Sequence, residues 1–293
     1  MTSALTSAIE TDAPIPTWFG VGGRADRLAR PATLDELRDL ARHHDQLRIL
    51  GDGANLLVAD EGVDGLVVSL ERMKAVAFER DGLVRVEAGA NLPRLILETV
   101  RRGLAGLEGL GGIPATVGGA VRMNAGGAFG QIADVVERVH ALAGDGETRC
   151  IERADIPFAY RRSGLEDLII TAVDLRLEPS DPAPLRDRLK EVMAYKKSSQ
   201  PMADRSAGCV FRNPDINGAR ESAGRIIDQC GCKGLRIGGA EVSQRHANFV
   251  VTHDGCAATD ILELIDQIRE RVRRERGIEL ETEVVIWRRG VDP

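Results

Sequence analysis

The sequence predicts an α+β or mixed α/β fold rather than a doubly wound parallel sheet, and three observations carry that prediction. Segments of helical period and segments of strand period are interspersed without strict alternation. A hairpin signal, Asp81-Gly82, joins two short apolar runs, and hairpins belong to antiparallel sheets. The one glycine pair that directly follows a strand, Gly51-Asp52-Gly53, lacks the third glycine of a dinucleotide-binding G-x-G-x-x-G turn. A chain of 293 residues is about two domains long at roughly 150 residues each.

Met1 to Pro16 reads as a short loose tail without the basic-then-apolar pattern of a signal peptide. Leu34 to His43 reads as a helix, with Leu34, Leu37 and Leu40 on one face and Thr33 and Glu36 in capping-box spacing. Leu47–Leu50 and Leu66–Leu70 read as strands, and Val76–Phe78 with Leu83–Val86 as the hairpin. Asn91 caps a helix to Arg102 that Gly103 stops. Strands follow at Val135–Ala143 and Leu168–Leu177, then a helix at Pro184–Lys197. The polar, turn-rich run from Ser198 to Pro214 marks a domain boundary near its start. A short helix at Ser222–Cys230, a strand at Asn248–Thr252 and a long helix at Thr259–Arg276 complete the last third. Ile261, Leu264, Ile265, Ile268 and Val272 make the core-facing stripe of that long helix. After Gly277, apolar residues from Ile278 to Ile286 alternate with Glu279, Glu281 and Glu283, the pattern of a strand with one carboxylate face.

Composition excludes several classes. Lys plus Arg number 39 against 45 Asp plus Glu, a net charge of -6, which disfavours a nucleic-acid partner. Aromatic residues are only 3%, too few for a base-stacking platform. No apolar run approaches the roughly 18 residues of a membrane span. A cytoplasmic protein free of nucleic acid and membrane is expected. The five cysteines (Cys150, Cys209, Cys230, Cys232 and Cys256) form an odd set and read as reduced thiols. Cys230-x-Cys232 with His246, His253 and Cys256 downstream lacks the spacing of the common zinc pairs, so no metal is expected.

Glycine is the anomaly: 32 residues of 293, against a usual ~7%. Gly51 to Leu57 offers main-chain N–H groups that can converge on an anion, although an ordinary tight turn is the alternative. Gly109 to Gly127 is denser still. The cost of so much glycine in a structured segment is offset where main chain must approach a flat or phosphorylated ligand. A flexible linker is the other reading, and the interleaved Ile113, Val117, Val121 and Met123 count against it.

Taken together, the motifs resemble one family. GxGxNLLV (Gly51–Val58), GIPxTVGGAVxMNAGG (Gly112–Gly127), FxYRxS (Phe158–Ser163), Gln200-Pro201, SAGxVFxNP (Ser206–Pro214), VSQRHANFVV (Val242–Val251) and LETEV (Leu280–Val284) occur in the order found in UDP-N-acetylenolpyruvoylglucosamine reductases. The likeness runs from about Thr17 to Trp287. It implies an FAD-containing, NADPH-dependent oxidoreductase of peptidoglycan precursor synthesis that reduces a UDP-sugar enolpyruvyl ether to UDP-N-acetylmuramate. It also implies a two-lobed FAD-binding region of the vanillyl-alcohol-oxidase-like type and a smaller α+β substrate domain. Residues 1–75 would be the first lobe, with 278–293 returning to it. Residues 76–197 would be the second lobe and 198–277 the substrate domain, in a monomeric chain.

By the same resemblance, Gly51, Gly53, Ala54, Asn55 and Leu56 match the pyrophosphate loop. Gly112, Ile113, Gly118, Gly119, Asn124, Ala125 and Gly126 match the second flavin cradle. Arg161 matches the arginine near the substrate carboxylate, Asn213 a substrate-contacting asparagine, and His246 a substrate-domain motif. Glu283 matches the active-site acid, with Glu281 two residues away on the same face as the competing choice. Cys209 stands where the family usually has a proton-donating serine. A thiol, with a reference pKa near 8.5, is a stronger acid than an alcohol and stays mostly protonated at neutral pH, so it can take that role. Ala54 and Ala115 replace a common serine and glycine with residues still small enough for close approach. The short stretch from Arg161 to Pro201 resembles the form that lacks a tyrosine-bearing loop, and Tyr160 and Tyr195 are the only tyrosines. Two other readings stand beside this one: a related FAD-dependent oxidase of a small alcohol or amine, and a non-catalytic phosphate-ligand-binding protein.

Overall fold

A computed structural model describes residues 8–44 and 46–291. The chain divides into two compact units. The first takes in residues up to Thr11, Arg27–Asp52 and Gly65–Tyr195; the second takes in Asp12–Asp26, Gly53–Asp64 and residues from Lys196 onward.

The first unit is built on a five-stranded antiparallel sheet in the order Thr148–Glu152, Val136–Leu142, Ile169–Arg176, Leu83–Glu87, Val76–Phe78. One face is core: Val84, Val86, Val139, Val173 and Leu175 are fully buried. On the other face Arg85 grips the buried Asp174 carboxylate at 2.7 and 2.9 Å, and His140 Nε2 lies 3.1 Å from it. Burial alone would raise the Asp174 pKa; the hydrogen bonds from Arg85 and His140 outweigh it and hold the carboxyl below its usual range. The predicted hairpin is present, and Asp81 and Gly82 take the positive φ values of 57° and 73° that such turns need.

Helices α1 (Leu34–His43) and α2 (Leu92–Arg102) have the expected bounds because their signals are local. Thr33 Oγ1 accepts from the Glu36 N–H and Asn91 Oδ1 from the Arg94 N–H, while Gly103 closes α2 at φ 69°. The Glu36 carboxylate reaches back to accept from the Ala32 N–H at 2.8 Å. A further helix, α3 (Val117–Arg122), lies inside the glycine-rich stretch, for which the sequence predicted no helix. Thr116 caps it, Val117, Ala120 and Val121 bury its inner face, and at Gly118 a Cβ would come within 2.7 Å of the Ala88 Cβ. Helix α4 (Pro182–Ser199) is slightly longer than predicted.

The loose-tail reading of Met1 to Pro16 is corrected: Ile9–Pro14 is a strand in a sheet ordered Ile9–Pro14, Arg24–Ala29, Val63–Ser69, Leu47–Leu50. Its mostly exposed, polar residues carry no alternating pattern to announce it. Met1 to Ser7 lie outside the described residues.

The second unit has its own core, in which α5 (Ala223–Gln229) and α6 (Ala258–Arg276) contribute Ile226, Ile227, Ile261, Leu264, Ile265, Ile268 and Val272. The predicted stripe of α6 is fully inward. A three-stranded antiparallel sheet (Arg236–Ile237, Ala240–Val242, Val250–Thr252) accompanies them. The terminal segment departs from the uniform strand expected. Only Val285–Trp287 is regular, pairing in parallel with Leu56–Val58, while Ile278–Val284 lies outside any regular strand and its main-chain partners include residues 210–212. Among the described residues, no helix is long and apolar enough to cross a membrane.

Asp60 caps α6 from a distant loop: its carboxylate accepts from the Ala258 N–H at 2.9 Å and from the Thr259 N–H and hydroxyl at 2.8 Å each. Burial pushes its pKa up, but these bonds together win and lower it. Asp60→Ala should therefore cost about 1–2 kcal/mol in urea unfolding at pH 7. A depressed acid contributes fully above its unfolded pKa and loses that contribution as pH falls through its folded value. The difference between wild type and variant should thus shrink below about pH 4.

Candidate active site

In the first unit two loops meet over one hydroxyl. A Cβ at Gly51 would lie 2.9 Å from Thr116 Oγ1, and one at Gly119 would lie 3.3 Å from the same atom, which already accepts the Gly119 N–H at 3.2 Å. Gly112 turns the chain at φ 73°, Gly126 is bare because a Cβ would strike Gln131 at 2.6 Å, and nothing lies within 4 Å of a Cβ at Gly127. Ile113 and Ala125 are half-buried and pack on the core.

Asn124 holds the loop's shape. Its buried side chain donates to Gln131 Oε1 and to the Ala159 carbonyl, both at 3.0 Å, and accepts from the Ala133 N–H at 3.3 Å. From the other side the Arg161 guanidinium donates to the Gly126 carbonyl at 2.9 Å. Arg161 sits at φ 57° in a tight turn closed by reciprocal bonds between Ala159 and Arg162. A left-handed arginine costs strain that the surrounding bonds must hold, a feature that clusters at functional sites. The structure thus brings Arg161 and the glycine-rich loop together.

In the second unit Gly53 takes φ 66° and is followed by half-buried Ala54 and Asn55 and by buried Leu56. Residues 209–213 run between two partners. Cys209 bridges to Phe249, and Phe211 bridges to Thr282. The Val210 carbonyl accepts from the Glu283 N–H at 2.7 Å, so Cys209 and Glu283 are carried on adjoining paired segments. Glu281 stands apart from Glu283: its side chain is 80% exposed and lies 3.9 Å from the Arg212 guanidinium, whereas Glu283 is half-buried. Asn213 and His246 converge on the first turn of α5. Asn213 Oδ1 accepts from the Ala223 N–H at 2.9 Å, and a Cβ at Gly224 would come within 2.8 Å of the His246 ring. Burial, with Lys233 nearby, lowers the His246 pKa and favours the neutral ring, whose Nδ1 accepts from the Asn248 N–H at 3.2 Å.

Sequence reading missed two residues. Thr116 is the hydroxyl on which the two glycine loops converge. Asn248 is 3% exposed, and its amide brackets Phe211, accepting from its N–H at 2.9 Å and donating to its carbonyl at 2.8 Å. The available signal was an asparagine inside the otherwise apolar run Ala247–Val251. The other cysteines lie elsewhere. Cys230 and Cys232 are buried with their thiols pushed up by that burial, and burial next to Asp260 raises Cys256 to about 11.

Main chain without side chains at Gly51, Gly119 and Gly127, shaped by Thr116 and Asn124, is what a phosphorylated, flat cofactor needs, and these residues fit a flavin dinucleotide. The class so defined is an FAD-binding protein carrying a separate second unit, and residues 25–151 match the profile of an FAD binding domain. Residues 200–287 match the profile of the UDP-N-acetylenolpyruvoylglucosamine reductase C-terminal domain. The reductase of that name from Moorella thermoacetica is 42% identical over 94% of this chain and 91% of its own length, and that from a Bradyrhizobium species is 39% identical over 94% and 90%. The crystal structure of the Thermus caldophilus enzyme superposes with a TM-score of 0.82 at 40% identity, covering 96% of this chain and 99% of that one. The chain belongs to the UDP-N-acetylenolpyruvoylglucosamine reductase family.

Proposed function

We propose that this chain reduces UDP-N-acetylglucosamine enolpyruvate to UDP-N-acetylmuramate with NADPH as hydride donor, a step in making peptidoglycan precursors. Family membership over nearly the whole chain is the observation that carries this reading. The main chain of Gly51–Leu56 and Gly112–Gly126 would hold FAD, which when bound would supply the relay of hydride from NADPH to the vinyl carbon.

The chain's own residues handle the charge and the proton. Hydride addition at the terminal vinyl carbon leaves an electron pair on the carbon beside the carboxylate. Cys209 delivers its thiol proton there, forming the new C–H bond, and its thiolate is reprotonated from solvent. The Arg161 guanidinium binds the carboxylate and spreads the developing negative charge. Glu283, in its protonated form or through one water, donates a hydrogen bond to the enolate-like oxygen. Asn213 and His246, braced on the first turn of α5, hold the sugar nucleotide. Residues 1–75 with 278–293, and 76–197, serve as the two FAD lobes, and 198–277 binds substrate in a cytoplasmic monomer. The family's reductase chemistry disfavours an alcohol or amine oxidase and a non-catalytic phosphate-binding protein.

The purified protein should be yellow, lose its colour anaerobically with NADPH, and regain it when the enolpyruvyl sugar is added. In heavy water one solvent deuterium should enter beside the product carboxylate. A colourless protein that cannot be loaded with FAD would falsify the assignment.

A further inference from the structure

We infer that Asn55 acts as a positioning residue for Glu283, aligning that acid with the segment that carries Cys209; this rests on the roles proposed for those two residues. The sequence places Asn55 in a glycine-rich loop whose expected work is to hold a pyrophosphate. The structure gives its side chain a different partner. Asn55 Nδ2 donates to the Glu283 carbonyl at 3.1 Å. The Asn55 carbonyl accepts from the Val285 N–H, also at 3.1 Å, at the start of the parallel pairing of Leu56–Val58 with Val285–Trp287. Side chain and main chain of one residue therefore bracket the step from Glu283 to Val285.

The opposite side of the same residue is equally tied. The Glu283 N–H donates to the Val210 carbonyl at 2.7 Å, and the Val284 N–H reaches the same oxygen at 3.3 Å. Val210 also donates its N–H to the Asn248 carbonyl at 2.8 Å, and its neighbour Cys209 bridges to Phe249. Glu283 thus has both peptide groups spoken for, one by the Cys209 segment and one by Asn55. Its carboxylate leaves from a point fixed between them. An asparagine suits this place because it offers an N–H donor while its own main chain pairs in parallel. Aspartate would set a carboxylate against a carbonyl, and alanine would leave the Glu283 carbonyl without its partner. Loss of the bond frees Glu283 to drift, and a shift of about 1 Å in a catalytic group costs on the order of 100-fold in rate.

The test uses the FAD-loaded full chain and the variants Asn55→Ala, Asn55→Asp, Glu283→Gln and Asn55→Ala/Glu283→Gln. Four quantities are read: FAD affinity by fluorescence titration into the apoprotein, the rate of bleaching by NADPH, the rate of colour return with the enolpyruvyl sugar, and the melting temperature. If Asn55 works through Glu283, both single Asn55 variants return colour about 10–100-fold more slowly, a loss well beyond any they show in FAD affinity or in bleaching. The double variant is then no slower than Glu283→Gln alone, since the clamp has nothing left to aim. Multiplying effects in the double variant, or a loss of FAD affinity as large as the loss of rate, overturn the inference and return Asn55 to the cofactor. So do variants that fail to fold, which would make the side chain a fold anchor. Wild-type rates in Glu283→Gln would instead sink the role given to Glu283, a separate failure.

Discussion

Cys209→Ala is expected to slow substrate-dependent return of the flavin colour by about 10²–10⁴-fold, the usual worth of a placed proton donor, while bleaching by NADPH stays near wild type. The asymmetry follows from which step needs a proton. On the role proposed for Cys209, delivery of hydride from NADPH requires no proton from this residue, whereas protonation of the carbon beside the carboxylate does. The truncation should leave the main chain in place. Residue 209 bridges to Phe249, residue 210 is bonded to Asn248 and Glu283, and the Asn248 amide holds residue 211 on both of its polar groups. Cys209→Ser puts a hydroxyl in place of the thiol and should keep part of the rate that Cys209→Ala loses, with a weaker acid doing the work. Stopped-flow absorbance separates the two half-reactions. Equal loss in both would mean that the side chain supports the fold and donates nothing.

What could be read directly from the residues is what local chemistry dictates. Thr33, Asn91 and Gly103 bound their helices by bonds within a few residues, and the α6 stripe from Ile261 to Val272 points inward because its spacing allows nothing else. The weaker readings lie where partners are remote in sequence. Ile278–Val284 alternates as a strand should, yet its main-chain partners include residues 210–212, which no spacing rule links to it. The short helix α3 was hidden because glycine opposes helix locally, while Thr116 and the close approach to Ala88 favour it through packing. For the site, glycine density marked where bare main chain gathers. The chemistry assigned to Arg161, Cys209 and Glu283 came from motif order, since each alone is an ordinary residue. Neither source could reveal that Arg161 is left-handed and tied to Gly126, or that Glu281 faces Arg212 while Glu283 pairs with the chain beside Cys209.

Gly53→Ala should be the most damaging single methyl group in the loop proposed to hold the cofactor. Gly53 sits at φ 66°, where an L-residue costs roughly 1–2 kcal/mol. The added Cβ would lie 2.2 Å from the Pro16 carbonyl oxygen and 3.0 Å from the Thr17 Cα. Both obstacles are main chain, so no rotamer relieves them, and overpacking of this kind adds about 1–3 kcal/mol. The loop cannot simply lift away, because the Trp18 N–H already donates to the Gly53 carbonyl at 3.1 Å. A combined loss of about 2–5 kcal/mol would consume a large part of an ordinary domain's stability. The same displacement would drag Ala54 and Asn55, so bound FAD and the hold on Glu283 should fail together. Gly144→Ala, where nothing lies within 4 Å of the new Cβ, is the matched control and should unfold within about 0.5 kcal/mol of wild type. Urea midpoints and the FAD-to-protein ratio of the purified variants decide the matter. A Gly53→Ala protein with the wild-type midpoint and a full complement of flavin would show that the loop has room this geometry denies.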